Sequence, residues 1–246
     1  MNPIEQFELQ RIAPYFINGV DVSFTNSALY MLLAAFAAVL LTIGATSRRA
    51  LVPGRGQALA EVLYEFVAST VRSTAGKEGM RFFPFVFTLF TFILMSNLIG
   101  LVPYTFSLSS QIVVTFAFAA FVITLVILYG LYRHGLGFLK LFVPHGVPAP
   151  VLVVLIPIEI ISFLSRPVSL SVRLFANILA GHITLAVFGG FVVMLLGAGA
   201  WAALSPIPIL AVVAMYALEL LVNCLQAFVF AVLTCVYLND AIHPGH

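Results

Sequence analysis

The sequence predicts an all-α integral membrane protein, with about five membrane-embedded helices and one interfacial amphipathic helix. Two observations carry this. Of 246 residues, 62% are hydrophobic and only 8% are charged, against roughly 45–50% apolar and about 25% charged in soluble domains. Charge-free apolar runs near the length of a bilayer crossing recur along the chain, and a crossing needs about 20 such residues. The net charge of +2 is too small to point to nucleic acid as a partner.

Residues 1–27 read as an outside N-terminal segment, with Glu5, Glu8, Arg11 and Asp21 and no basic stretch of a cleavable signal peptide. Residues 28–140 hold four helices. Ala28–Thr46, Phe82–Pro103 and Ile112–Tyr132 are runs free of Asp, Glu, Lys and Arg, each read as a span. Between the first two, Leu59, Val62, Leu63, Phe66, Val67 and Val71 recur at helical spacing, with Glu61, Glu65 and Arg72 off the stripe. This predicts an amphipathic helix over 55–77 on the cytoplasmic face, either as a packing element or as a docking one.

Residues 141–246 are almost continuously apolar from Val147 to Leu238, with turn signals at Gly197-Ala-Gly-Ala and Ser205-Pro-Ile-Pro. Val151 to Ala200 is too long for an upright crossing. It either crosses twice or forms one steeply inclined helix, and Pro157 and Pro167 allow kinks. Arg48, Arg49, Arg55, Arg72, Lys77 and Arg81, then Arg133 and Lys140, place their loops in the cytoplasm. The N-terminus is then outside and His246 inside. Cys224 and Cys235 lie too far apart along one helix for a disulfide and read as packing residues.

An ionised side chain at mid-bilayer costs about 2.5–3.5 kcal/mol on insertion scales and usually marks an ion or proton path. Glu159, Arg166, Arg173, His182 and Glu219 all stand in apolar sequence. Glu159, Arg166 and Arg173 recur every seven residues, so they share a helix face, widened by Ser162, Ser165, Ser169, Ala176, Asn177 and Ala180. Small and polar residues in a stripe suit a close helix partner or a wet cleft; a structural ion pair with snorkelling side chains is the plainer reading. In an antiparallel hairpin turning near residue 200, facing residues have numbers summing to about 400. His182 with Glu219 and Arg173 with Gln226 meet that condition, and the first pair can exchange protons near neutral pH.

Arg173 would then lie between His182 and Glu219 on the outer side and Glu159 on the inner. Arginine cannot relay protons, but it attracts a carboxylate by about 4 kcal/mol at about 4 Å and an effective dielectric of roughly 20. A neutral acid arriving from lipid would be stripped of its proton there. This describes a separator between two half-channels, with the mobile carboxylate on a partner. Nucleotide loops, metal-ligand clusters and nucleophile elbows are absent from the sequence. No cofactor or metal is expected.

The segment SLSVRLFANILAGH, Ser169 to His182, followed by Glu219 and LQAFVFAVLTCVYL from Leu225 to Leu238, resembles subunit a of F-type ATP synthases. NPIEQFE at Asn2–Glu8 and MSNLIGLVP at Met95–Pro103 extend the likeness over nearly the whole chain. The resemblance implies that Arg173 faces the proton-carrying carboxylates of a c-ring, with Asn177 and Gln226 as its polar neighbours. It implies that Glu159 serves the cytoplasmic half-channel and Asn97 the outer one. His182 and Glu219 stand in an order similar to the mitochondrial type, the reverse of some bacterial members. The resemblance also selects a single inclined helix for the long segment, so that the last two helices form a long inclined antiparallel hairpin around the rotor.

The implied role is non-catalytic: a proton-conducting stator subunit whose partners are the c-ring, b-type peripheral-stalk subunits and the lipid bilayer. Protons are preferred as coupling ion, and the missing transit peptide fits a bacterial inner membrane. A self-contained secondary transporter with an anion or proton site at Arg173 is the alternative, weakened by the lack of an internal repeat. An intramembrane enzyme using His182 and Glu219 lacks a nucleophile or metal set. Asp240, His134, His145, His243 and His246 read as solvated interfacial groups, with a weak case for Asp240 and the terminal histidines at the cytoplasmic exit.

Overall fold

A computed structural model of the chain describes residues 10–14, 16–17, 20–21, 23–46, 53–102, 105–135, 137–138 and 149–242. Two short antiparallel pairings open it: β1 (Arg11–Ala13) with β4 (Phe24–Thr25), and β2 (Phe16–Ile17) with β3 (Val20–Asp21). They are too short to show a period-2 pattern, and the sequence reading had no signal for them. Among the described residues six α-helices follow: α1 (Asn26–Thr46), α2 (Arg55–Gly79), α3 (Phe83–Gly100), α4 (Ile112–His134), α5 (Ala149–Leu196) and α6 (Pro206–Ile242). The chain is an all-α integral membrane protein, with five helical segments long and apolar enough to cross a bilayer. The predicted spans match α1, α3 and α4 within a few residues, and the expected turn is a short helical turn at Gly199–Leu204.

The long segment is one helix. α5 runs unbroken through Pro157 and Pro167 from Ala149 to Leu196, at about 1.5 Å per residue more than twice the hydrocarbon thickness. Packed against it is α6, which also contacts α2, α3 and α4, while α1 lies on α2 and α3. The core is therefore built around α6: Ala227, Phe230, Ala231 and Cys235 meet Val67 and Val71 of α2, Val86 and Ile93 of α3, and Val122 and Val126 of α4. α6 is apolar outside and carries polar residues inside, among the apolar ones. Leu210, Val213, Leu218, Leu221 and Leu225 are exposed, whereas Glu219, Asn223, Gln226 and Thr234 are buried. That inversion is expected where the outer medium is hydrocarbon.

In α2, Val67 and Val71 are buried with Ala68, Ala75 and Gly79, but Leu59, Val62 and Phe66 of the expected stripe are exposed. The packed face is thus the one with small residues, which let helices approach closely. Cys224 is exposed, so only Cys235 packs inside. The connection after α3 folds back as a turn at Leu108–Ser110, buried against α3, α4 and α5. Gly100 permits this close approach, since a Cβ there would lie 2.9 Å from Ser107 Oγ.

Candidate functional site

Helical spacing on α6 builds the site. Glu219, Asn223 and Gln226 stand at i, i+4 and i+7, so they form one inward polar stripe. Asn223 was missed in the sequence reading, although its position between the other two carried the signal. Glu219 is 3% exposed, and His182 Nε2 on α5 stands 3.7 Å from its Oε1. The hairpin register thus brings together the predicted acid and imidazole. Among the described residues no group donates a hydrogen bond to either carboxylate oxygen. The carboxyl fits because residue 181 is glycine: a Cβ there would stand 3.0 Å from Oε1.

Beside Glu219 a cavity of about 300 Å³ opens between α5 and α6. Asn177, Ala180, Gly181 and Thr184 line one wall, and Met215, Glu219, Val222 and Gln226 the other. The structure therefore joins Asn177, Glu219 and Gln226 at one cavity. Arg173, one turn before Asn177 near the centre of α5, lies outside that lining and is exposed. Around it Ser169, Ala176, Asn177 and Ala180 are exposed too, so the predicted small and polar stripe is an outer face. Glu159 is half-buried on the same helix, roughly 21 Å from Arg173 by helical rise, and separate from the cavity.

Asn97 sits on the other flank of α6, 1% exposed, in a reciprocal bridge with Asn223. Its Nδ2 donates to the Asn223 carbonyl at 3.2 Å, and Asn223 Nδ2 donates to the Asn97 carbonyl at 3.4 Å. Ser109 Oγ in the buried turn donates to Asn97 Oδ1 at 2.5 Å. Orphaning a buried polar group costs about 1–3 kcal/mol. Asn97→Leu and Asn223→Leu are each expected to destabilise by about that amount. The double variant should cost less than the sum, with a coupling of about 0.5–3 kcal/mol. Thermal denaturation of the detergent-solubilised protein in a double-mutant cycle checks this, and strict additivity would remove the bridge as a cooperative unit.

Two expectations are corrected. Asp240 is not a free solvated group: its Oδ2 takes Arg166 Nη1 at 2.7 Å, with side-chain exposures of 27% and 25%. His134 Nε2 lies 3.1 Å from the Ile242 carbonyl, tying α4 to the end of α6. Both are paired because α6 runs on to residue 242 inside the bundle. His145, His243 and His246 lie outside the described residues. Among the described residues no group of three or more His, Cys, Asp or Glu could hold a metal ion.

A buried acid beside a half-buried imidazole, inward amides and an outward arginine on long apolar helices define a polytopic membrane protein with ionisable groups on its membrane-spanning helices. Residues 28–239 match the family described as ATP synthase A chain, and the chain belongs to that family. It is 57% identical over 247 residues to the ATP synthase subunit a of Beijerinckia indica, covering 100% of this chain and 98% of the relative. The subunit a of Allorhizobium ampelinum is 59% identical over 247 residues, with coverage of 99% and 98%. That of Chelativorans sp. is 58% identical over 246 residues, with coverage of 100% and 99%.

Proposed function

We propose that this chain is the non-catalytic, proton-translocating stator subunit of an F-type ATP synthase. The observation that carries the reading is Arg173: a permanent charge at the centre of a long apolar helix, exposed on a face of small and polar residues. In hydrocarbon such a face calls for an anionic partner that approaches closely. A ring of c-subunits carrying one carboxylate each is that partner, with b-type stalk subunits holding the chain against rotation.

Protons enter from outside past Asn97 to the His182–Glu219 pair and reach the ring through the cavity lined by Asn177 and Gln226. After rotation with the ring they leave beside Arg173, toward Glu159. The Glu219 carboxyl on that cavity wall is the group that takes up and passes on the proton. The electrical driving force is about 2.3 kcal/mol per charge for each 100 mV. The N-terminus lies outside and the C-terminus in the cytoplasm of a bacterial inner membrane, since Arg55, Arg72, Lys77 and Arg81 stand in sequence between the first two expected spans and Arg133 directly after the third.

Liposomes carrying the complete membrane sector are expected to conduct protons down an imposed gradient. Liposomes carrying the same subunits without the ring are expected not to. Ring-independent flux would favour a self-contained transporter and reject the stator role.

A further inference from the structure

The geometry points to Arg166 as a positioning residue: its ion pair with Asp240 clamps α5 to α6 and so fixes where Arg173 stands. The inference rests on the stator role proposed above and assigns a part to two residues outside that proton path.

Four observations carry it. Arg166 Nη1 meets Asp240 Oδ2 at 2.7 Å. The guanidinium carbon also lies 5.3 Å from the ring centroid of Phe163 and 5.2 Å from that of Tyr237, one ring from each helix. Both rings are buried. Such cation–π contacts add to an ion pair when partly desolvated.

The clamp also sits beside one of the two proline-weakened turns of α5. Pro167 follows immediately, and a proline in a helix interior removes one backbone hydrogen bond. Between Val151 and Ser162 no residue of α5 is buried, so Phe163 begins its packed stretch. Arg173 stands two turns further along, about 10 Å by helical rise.

Finally, the clamp is the last link of a series of polar ties. Glu78 of α2 pairs with Arg133 of α4 at 2.7 Å, and His134 of α4 meets the Ile242 carbonyl of α6 at 3.1 Å. Asp240 of α6 then holds Arg166 of α5. A sideways force on Arg173 from a moving ring is resisted at Arg166 and passed into the bundle. Asp240 anchors that cation and stands outside the proton path.

The test uses the intact complex in inverted membrane vesicles, with ATP-driven acidification, passive proton flux after stripping the catalytic head, and subunit content all measured. Arg166→Ala and Asp240→Ala are each expected to lower pumping about tenfold or more, as small displacements at a reacting centre do. Combining them should add little. The charge-reversed double variant, Arg166→Asp with Asp240→Arg, should regain most of the loss. The pH profile of passive flux should keep its shape in Asp240→Ala.

A changed profile, or flux abolished in Asp240→Ala whatever stands at 166, would make Asp240 a proton carrier and overturn the clamp. So would a reversed pair as inactive as the single variants at normal subunit content. If the reversed pair fails to assemble, Arg166→Lys decides. It keeps the charge but loses the planar fork, so activity between alanine and wild type is expected, and activity no better than alanine overturns the proposal. Arg173→Ala in the same vesicles separates the two readings. Normal pumping there rejects the stator role, and the clamp is then judged on non-additive loss of Tm in the Arg166–Asp240 cycle.

Discussion

Arg173→Ala is expected to abolish ATP-driven acidification of inverted vesicles while leaving them leaky to protons once the catalytic head is stripped. The expectation follows from placement. Arg173 is exposed at the middle of α5, with Ser169, Ala176, Asn177 and Ala180 exposed around it. A ring carboxylate can therefore come close, and at about 4 Å the attraction is about 4 kcal/mol for an effective dielectric of roughly 20. That is enough to force proton release before the carboxyl passes. Alanine removes the charge without filling the cleft, so a protonated carboxyl slips across and the two half-channels are joined by the ring. Lost pumping with retained flux marks a separator. Retained pumping would reduce Arg173 to a structural residue, and lost flux would show that the arginine belongs to the conducting path itself.

Most of the helical plan was legible because hydrocarbon demands long uncharged runs: Ile112–Tyr132 was expected and α4 covers Ile112–His134. The hairpin register was legible for a different reason. Ionisable residues are so costly at mid-bilayer that two of them at matching depth point to each other, and His182 and Glu219 do meet. Continuity of α5 was not legible from length or periodicity, since Pro157 and Pro167 allow kinks; the family likeness selected the single helix that is found. The packed face of α2 was not legible for a physical reason. Between lipid and protein, apolarity does not separate outside from inside, so the stripe with Leu59 and Val62 could not locate the contact that Ala68, Ala75 and Gly79 make. Arg166 and Asp240 pair through a packing of α5 on α6 that spacing along one helix cannot reveal. The roles of the site residues were read from chemistry and family likeness, and they stand as proposals that these experiments decide.

Glu219→Gln should cut passive proton flux through head-stripped vesicles about a hundredfold, the lower range for loss of a positioned proton-transfer group. Glutamine keeps the shape of the side chain, so the narrow fit against Gly181 is little changed. Its amide can still face His182, which stands 3.7 Å from the present Oε1. What disappears is the ability to bind and release a proton at a position 3% exposed, on the wall of the cavity shared with Asn177 and Gln226. The result also separates the two halves of the proposed path. Arg173→Ala leaves entry intact and removes the barrier, so it raises or preserves flux; Glu219→Gln leaves the barrier and closes entry, so it lowers flux. In the double variant the Glu219→Gln effect should dominate, because protons that never load the ring have no barrier to bypass. Unchanged flux in Glu219→Gln, with normal amounts of subunit in the membrane, would mean that protons reach the ring by another route, and the cavity between α5 and α6 would then be only a packing defect beside it.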